Sequence, residues 1–272
     1  MADQRWWSIL LILAVPAVGA VDEPWVGQTV FVKRAGVTFG YVENERWVNA
    51  GEIAELSMPV LAQRGDWLLV RSNGKRGWVP MSEVVPLANA AAYFTERIQA
   101  EPRNASHILR RAAAWVEHGE YDKAANDCSQ AIRLEPANAV AYYCRALARH
   151  LGKQYDRALS DYSAAILLAP NNASAYAGRA WLRATCPDTR YRDGAGAVRD
   201  ALQACELSGW SDPNCLDNLA AAYAENGQFD YALKWQEKAL ELPGLRSSHR
   251  ENAQSRVKLY RASKPYRTAG RN

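Results

Sequence analysis

The sequence repeats itself at a spacing of 34 residues across the stretch from Gly119 to Pro170. Residues of the same type recur one period apart at several positions along this stretch. The matching pairs are Tyr121 and Tyr155, Ala124 and Ala158, Asp127 and Asp161, Ala131 and Ala165, Leu134 and Leu168, and Pro136 and Pro170. Because a fixed period of this length is typical of stacked supersecondary units, the sequence predicts a solenoid of helical hairpins.

This pattern of aromatic, small and proline residues resembles the tetratricopeptide repeat. The resemblance implies an all-α solenoid of about four helix-turn-helix repeats over residues 105–243. The repeats are predicted near 105–138, 139–172, 173–210 and 213–243. The third repeat is longer by about five residues, because Thr185–Gly194 replaces the usual tight turn and Pro187 ends the first helix of that repeat.

Additional helical segments flank the predicted solenoid. Residues 88–104 match the second half of a repeat and are predicted to form a linking helix. Residues 246–262 are predicted to form a capping helix, since the last repeat of a solenoid needs a polar outer face. Residues 263–272 are expected to form a flexible tail.

The N-terminal residues 1–20 have the composition of a secretory signal peptide. One arginine precedes an uncharged run from Trp6 to Val18, and small residues follow, with cleavage expected after Ala20. This run is shorter than the roughly 20 apolar residues of a membrane span. The sequence therefore predicts an exported protein, periplasmic or extracellular, with an uncleaved membrane anchor as the alternative.

Residues 25–87 have the short alternating runs of a small all-β domain. The segments Gly65-Asp66-Trp67 and Gly77-Trp78-Val79-Pro80, joined by a hairpin turn at Asn73-Gly74, resemble a bacterial SH3-like barrel. The resemblance implies binding of a peptide or attachment to cell-wall material. The alternative is that Trp67 and Trp78 are core residues of a small barrel. On either interpretation the sequence predicts a multidomain chain, with a small all-β SH3-like barrel followed by the all-α solenoid.

Charged residues also follow the period of the repeats. Arg111, Arg145 and Arg179 recur in the first helices, and Asp127, Asp161 and Asp200 recur in the second helices. The fourth repeat lacks both residue types at these positions. Two interpretations fit: a structural ladder of bidentate Arg–Asp pairs between packed helices, and a charged stripe for a ligand.

Five cysteines are present, and export would allow disulfides. Cys128 and Cys144 lie at equal distances from the turn at Pro136, and Cys205 and Cys215 flank another turn. Both pairs are candidate disulfides, and the alternative is that all five cysteines are small buried residues. No cysteine or histidine spacing indicates a metal site.

The resemblance to tetratricopeptide repeats also implies a concave groove for a partner, lined by the first helices. The groove positions of the family correspond here to Leu109, Tyr143, Leu147, His150, Trp181 and Asp217. The groove is expected to be apolar and aromatic in its middle and acidic near Asp217. Packing against the next helix is the alternative interpretation for the aromatic members.

The sequence contains no phosphate-binding loop, nucleophile motif or metalloprotease motif, so neither an enzyme nor a cofactor is expected. A net charge of +4 does not favour nucleic acid as a partner. The sequence therefore predicts an exported adaptor that binds a protein or peptide. The alternatives are a cell-wall protein, in which the SH3-like domain binds peptidoglycan and the repeats recruit an enzyme, and a regulatory fragment related to larger sensor or enzyme chains.

Overall fold

A computed structural model describes residues 25–43, 46–53, 56–72, 75–242 and 247–268. The predicted signal peptide and the turn at Asn73-Gly74 lie outside these residues. The chain divides between Arg97 and Ile98 into two compact units, a β-rich unit and a helical unit. Among the described residues, no helix combines the length and the apolar character that crossing a bilayer requires.

The β-rich unit contains two antiparallel sheets. Its strands are β1 Thr29–Val32, β2 Thr38–Glu43, β3 Arg46–Glu52, β4 Ser57–Pro59, β5 Ala62–Arg64, β6 Trp67–Ser72, β7 Lys75–Pro80 and β8 Val84–Pro86. One sheet has the order β4-β1-β8 and the other the order β3-β2-β7-β6-β5. Over the described residues both sheets are open, so the closed barrel that the sequence predicts is not seen there.

Alternation along the strands places one face of each sheet in a shared apolar core. Val30, Phe39, Leu68 and Val79 belong to this core and are 0–1% exposed. Gly77 is needed beside them, because a Cβ atom there would lie 2.5 Å from the ring of Phe39. In β6 every second residue is buried, at Leu68, Val70 and Ser72, and the residues between them are half-buried or exposed, so this strand contributes one face to the core.

Trp67 and Trp78 lie outside this core, contrary to the alternative that made them core residues. Both are half-buried, and each occupies a strand position that alternates away from the buried Leu68 and Val79. The guanidinium of Arg64 lies 5.9 Å from the centre of the Trp78 ring. The two indoles therefore cover the outer face of the five-stranded sheet, where Trp78 pairs across the ladder with Leu69.

Helices make up the rest of the chain. The described helices are α1 Leu87–Ala100, α2 Ala105–Glu117, α3 Tyr121–Leu134, α4 Ala139–Leu151, α5 Tyr155–Leu168, α6 Ala173–Thr185, α7 Gly194–Leu207, α8 Pro213–Glu225, α9 Phe229–Glu241 and α10 Ser247–Arg261. The helices α2 to α9 form hairpins in sequence order, as the period predicts, and α10 packs on α9.

Small residues and caps explain how the hairpins form. The alanines where helices cross, such as Ala146 and Ala158, are fully buried and permit close approach. Asn104, Asn138 and Asn172 precede α2, α4 and α6, and each side chain accepts a hydrogen bond from an amide of the first turn. These caps fix where each repeat begins.

The segment after α10 differs from the flexible tail that the sequence predicts. Lys264 donates its amide to the carbonyl of Leu259, and Thr268 donates its amide to the carbonyl of Thr185, at 2.9 and 3.0 Å. Residues 264–268, called the tail segment below, therefore lie bound to the helical unit. Residues 269–272 lie outside the described part of the chain.

Candidate functional site

The first helices of the repeats and α10 surround an open cavity of about 730 Å³. Side chains of α4, α6 and α8 form its walls, and the tail segment contributes to one side. Its lining residues include Tyr143, Leu147, His150, Tyr162, Ser174, Ala177, Gly178, Trp181, Asn214, Asp217, Asn218, Asn252, Arg256, Tyr266 and Thr268. The cavity thus lies where the resemblance to tetratricopeptide repeats places a groove.

Five of the six predicted groove residues line this cavity: Tyr143, Leu147, His150, Trp181 and Asp217. Leu109 does not. It packs instead against two apolar clusters that join the first and second repeats, beside Ile108 and Ala112. The lining that sequence reasoning missed includes Tyr162 of α5, and Asn252 and Arg256 of α10. It also includes the tail segment, which like α10 follows no repeat pattern.

An aromatic group forms the floor of the cavity. The Tyr143 and Tyr162 rings lie 6.3 Å apart between centroids, and His150 Nδ1 lies 3.4 Å from the Tyr162 hydroxyl. Gly178 is required beside this group, since a Cβ atom there would lie 2.6 Å from the Tyr162 ring. Burial raises the pKa of both tyrosines, so their hydroxyl groups stay protonated. Tyr143 and Trp181 are half-buried, so each packs on its neighbours and also faces the cavity.

Burial lowers the pKa of His150 to about 4. The unfolded chain, with an ordinary histidine pKa of about 6.5, binds a proton first, so folding stability is complete above that pH and falls as the pH drops towards 4. We expect this one group to remove up to about 3 kcal/mol of stability across that window.

The comparison that checks this is thermal unfolding from pH 7.5 to 4 of the wild type and of the His150→Gln variant. The variant should lose less stability than the wild type on acidification, because other titrating groups are common to both proteins. Parallel losses in the two proteins would contradict the prediction.

Asp217 lines the cavity but is not available to a ligand in the way that the sequence suggests. Its carboxylate accepts hydrogen bonds from Arg256 Nη2 at 2.6 and 2.7 Å, from Arg256 Nε at 3.1 Å and from Gln236 Nε2 at 2.6 Å. Arg256 is 5% exposed and Asp217 is 9% exposed. The expected acidic end of the groove is therefore neutralised by a side chain of α10.

The periodic arginines and aspartates form pairs within each repeat. Arg111 with Asp127, Arg145 with Asp161 and Arg179 with Asp200 each make two parallel hydrogen bonds of 2.7–2.9 Å. The aspartates are buried, and none of these six residues is among those lining the cavity. This geometry is that of a paired ladder between packed helices.

The ladder also contains arginines that sequence reasoning missed. Arg149 Nη1 donates to Asp161 at 2.6 Å, and Arg183 Nη1 donates to Asp200 at 2.8 Å. Arg149 and Arg183 are themselves one period apart, so the repeat contained the signal. The first repeat has Trp115 at the corresponding position.

All five cysteines are free thiols in the structure, so neither candidate disulfide is formed. Cys128 packs as a small apolar residue among alanines, with Cys144 at the edge of the same cluster. Cys205 and Cys215 share another cluster. Burial raises the pKa of Cys144 to about 11 and of Cys205 and Cys215 to about 12, which keeps these thiols protonated. Within the described residues no cluster of potential metal ligands is found.

Solved structures with a similar fold were found, whereas no protein-family model and no curated protein matches the sequence. TTC0263, described as a thermophilic TPR protein of Thermus thermophilus, is 20% identical, with 65% of this chain and 90% of that chain covered and a TM-score of 0.50. The APC/C hetero-tetramer Cut9-Hcn1 is 17% identical, with 65% and 33% covered and a TM-score of 0.56. MamA of Desulfovibrio magneticus RS-1 is 20% identical, with 57% and 85% covered and a TM-score of 0.49. Together with the repeat pattern, the first of these similarities shows that the helical unit has the tetratricopeptide-repeat fold.

Proposed function

We propose that this protein is an exported, non-enzymatic adaptor whose cavity binds a segment of a partner protein. The observation that carries the proposal is the lining of the cavity. The lining combines aromatic side chains from α4 and α6 with the amide side chains of Asn214, Asn218 and Asn252. A peptide would find both apolar contact area and hydrogen-bonding groups for its backbone in the same cavity.

The state of the ionisable groups supports binding rather than chemistry. His150 is neutral at physiological pH, because burial lowers its pKa to about 4. The carboxylate of Asp217 is paired with the guanidinium of Arg256. Burial raises the pKa of Tyr143 and of Tyr162, which keeps their hydroxyl groups protonated. These lining groups offer shape, apolar surface and neutral hydrogen-bonding atoms to a ligand.

The exported location and the SH3-like assignment are part of the proposal. Export is supported by the uncharged run Trp6–Val18 and the small residues after it. The SH3-like assignment is supported by the motifs around Trp67 and Trp78. The two indoles on the outer face of the five-stranded sheet form a surface that a wall peptide could contact.

A capture experiment with a matched control tests the role of the cavity. The Leu147→Arg variant places a charge in the lining, whereas Leu167→Arg changes a residue that is 82% exposed and lies outside it. Each protein would be immobilised and incubated with envelope extract of the source cells, and bound proteins would be quantified by mass spectrometry.

We expect Leu147→Arg to reduce recovery of the specific partner by about tenfold or more, which corresponds to a loss of about 1.4 kcal/mol. Leu167→Arg should recover as much partner as the wild type. Circular dichroism confirms that each variant is folded. Equal recovery by both variants would show that the cavity is not the binding site.

A further inference from the structure

The tail segment is held against the helical unit by three consecutive residues. The ring of Tyr266 lies 5.8 Å from the ring of Trp181. The Arg256 guanidinium lies 5.5 Å from the centre of the Trp181 ring and 5.3 Å from that of Tyr266. Tyr266 therefore contacts an aromatic and cationic surface at the side of the cavity.

Arg267 is paired with a carboxylate and a backbone carbonyl. Its Nη2 atom lies 2.5 Å from Glu225 Oε2, and its Nη1 atom donates to the carbonyl of Ala184 at 3.4 Å. The other oxygen of Glu225 lies 3.1 Å from Arg192 Nε. The Glu225 side chain is 13% exposed, so in the absence of Arg267 one nearly buried carboxylate oxygen would lose its cationic partner.

Thr268 binds the end of α6 through its backbone and its side chain. The amide and the hydroxyl group both donate to the carbonyl of Thr185, at 3.0 and 3.1 Å. Carbonyls at the C-terminal end of a helix have no partner within the helix and carry the negative end of its dipole. Such an end attracts N–H groups and cations, which are what Arg267 and Thr268 supply.

The inserted loop of the third repeat explains why carbonyls at the end of α6 are available to the tail segment. In the regular repeats a tight turn follows the first helix, and after α4 the amides of Gly152, Lys153 and Gln154 bond the last turn. After α6 the inserted loop supplies the amides of Cys186 and Asp193, which bond the carbonyls of Leu182 and Arg183. The carbonyls at positions 184 and 185 are the ones that the tail segment binds.

We propose that the concave face carries a binding subsite for a segment in which an aromatic residue precedes an arginine, and that the tail segment occupies this subsite in cis. This rests on the proposed function of the cavity, with which the subsite is contiguous. Trp181 and Arg256 line the cavity and contact Tyr266, and Tyr266 and Thr268 of the tail segment reach the cavity as well. A partner segment of the same chemistry then binds by displacing Tyr266 and Arg267. The tail segment acts as an intramolecular competitor, and its short tether gives it a high effective concentration.

A labelled peptide with the sequence of residues 264–272 tests the subsite without any partner. Its affinity would be measured by fluorescence anisotropy for the wild type, for Tyr266→Ala/Arg267→Ala and for Lys264→Ala, which changes an exposed side chain of the same segment. We expect the double variant to bind the peptide about tenfold or more tighter than the wild type, because its own tail no longer competes. Lys264→Ala should behave as the wild type.

A second peptide has alanine at the positions of Tyr266 and Arg267 and is otherwise identical. It should bind none of the proteins measurably. Equal affinity of the first peptide for wild type and double variant would overturn the proposal, and so would equal binding of the two peptides. If the double variant does not fold, Tyr266→Ala alone removes only the aromatic contact and should give a smaller gain of the same sign. Loss of partner capture in Leu147→Arg reports on the proposed function separately, since it needs neither peptide nor tail.

Discussion

Replacement of Asp217 by alanine is expected to lower the free energy of unfolding by about 3–5 kcal/mol. The carboxylate accepts three hydrogen bonds from Arg256 and one from Gln236, and all of these donor groups are buried. Alanine would leave the Arg256 guanidinium and the Gln236 amide without their acceptor, and these two residues are only 5% and 0% exposed. Denaturant unfolding followed by circular dichroism measures the loss.

The same substitution should loosen α10 more than the rest of the helical unit. Arg256 is the residue through which α10 reaches both Asp217 and the ring of Tyr266. Hydrogen exchange should therefore rise in residues 250–268 before it rises in α4 and α5. Uniform exchange across the helical unit would contradict this expectation.

An exposed ion pair between α9 and α10 provides the matched control. Arg261 Nη2 lies 3.1 Å from Glu237 Oε1, and both side chains are more than half exposed. Glu237→Ala should cost less than about 1 kcal/mol, because exposed pairs are weak. The double variant Asp217→Leu/Arg256→Met should recover much of the stability that Asp217→Ala loses, since it removes the charge from the site together with its partner. Equal losses in Glu237→Ala and Asp217→Ala would show that burial is not the cause.

The period of the sequence predicts what is repeated in the structure. Helices α2 to α9 follow from matched positions such as Tyr121 and Tyr155, because each repeat must pack on its neighbours in the same way. The groove positions at Tyr143, Leu147 and Trp181 could be assigned for the same reason. A position in a regular solenoid fixes the face of the helix on which a side chain lies.

The sequence could not predict contacts that are made once in the structure and do not recur from repeat to repeat. Asp217 is paired by Arg256 of α10, a helix outside the repeats, so no recurring spacing connects the two residues. The binding of Thr268 to Thr185 depends on a backbone carbonyl. Every residue has such a carbonyl, so the residue types do not show which one is bound. In the β-rich unit, short strands follow from alternation, but whether two sheets close into a barrel depends on long-range pairing that alternation does not encode.

Replacement of Asp161 by alanine is expected to cost about 3 kcal/mol or more. Its carboxylate accepts two hydrogen bonds from Arg145 and one from Arg149. The side chain of Asp161 is 5% exposed, and those of the two arginines are 17% and 20% exposed. Removing the acceptor leaves two guanidinium groups close together in a largely buried site, so repulsion between like charges adds to the lost bonds.

Two other aspartates separate this effect from a general loss of charge. Asp156 is exposed in the first turn of the same helix, α5, and Asp156→Ala should cost only about 0.5 kcal/mol through the helix dipole. Asp127 is bonded by one arginine, Arg111, so Asp127→Ala should cost less than Asp161→Ala. Because neighbouring repeats stabilise one another, a loss at Asp161 in the middle of the array should lower the cooperativity of unfolding as well as the midpoint. A melting temperature of Asp161→Ala equal to that of the wild type would mean that the paired ladder does not stabilise the repeats.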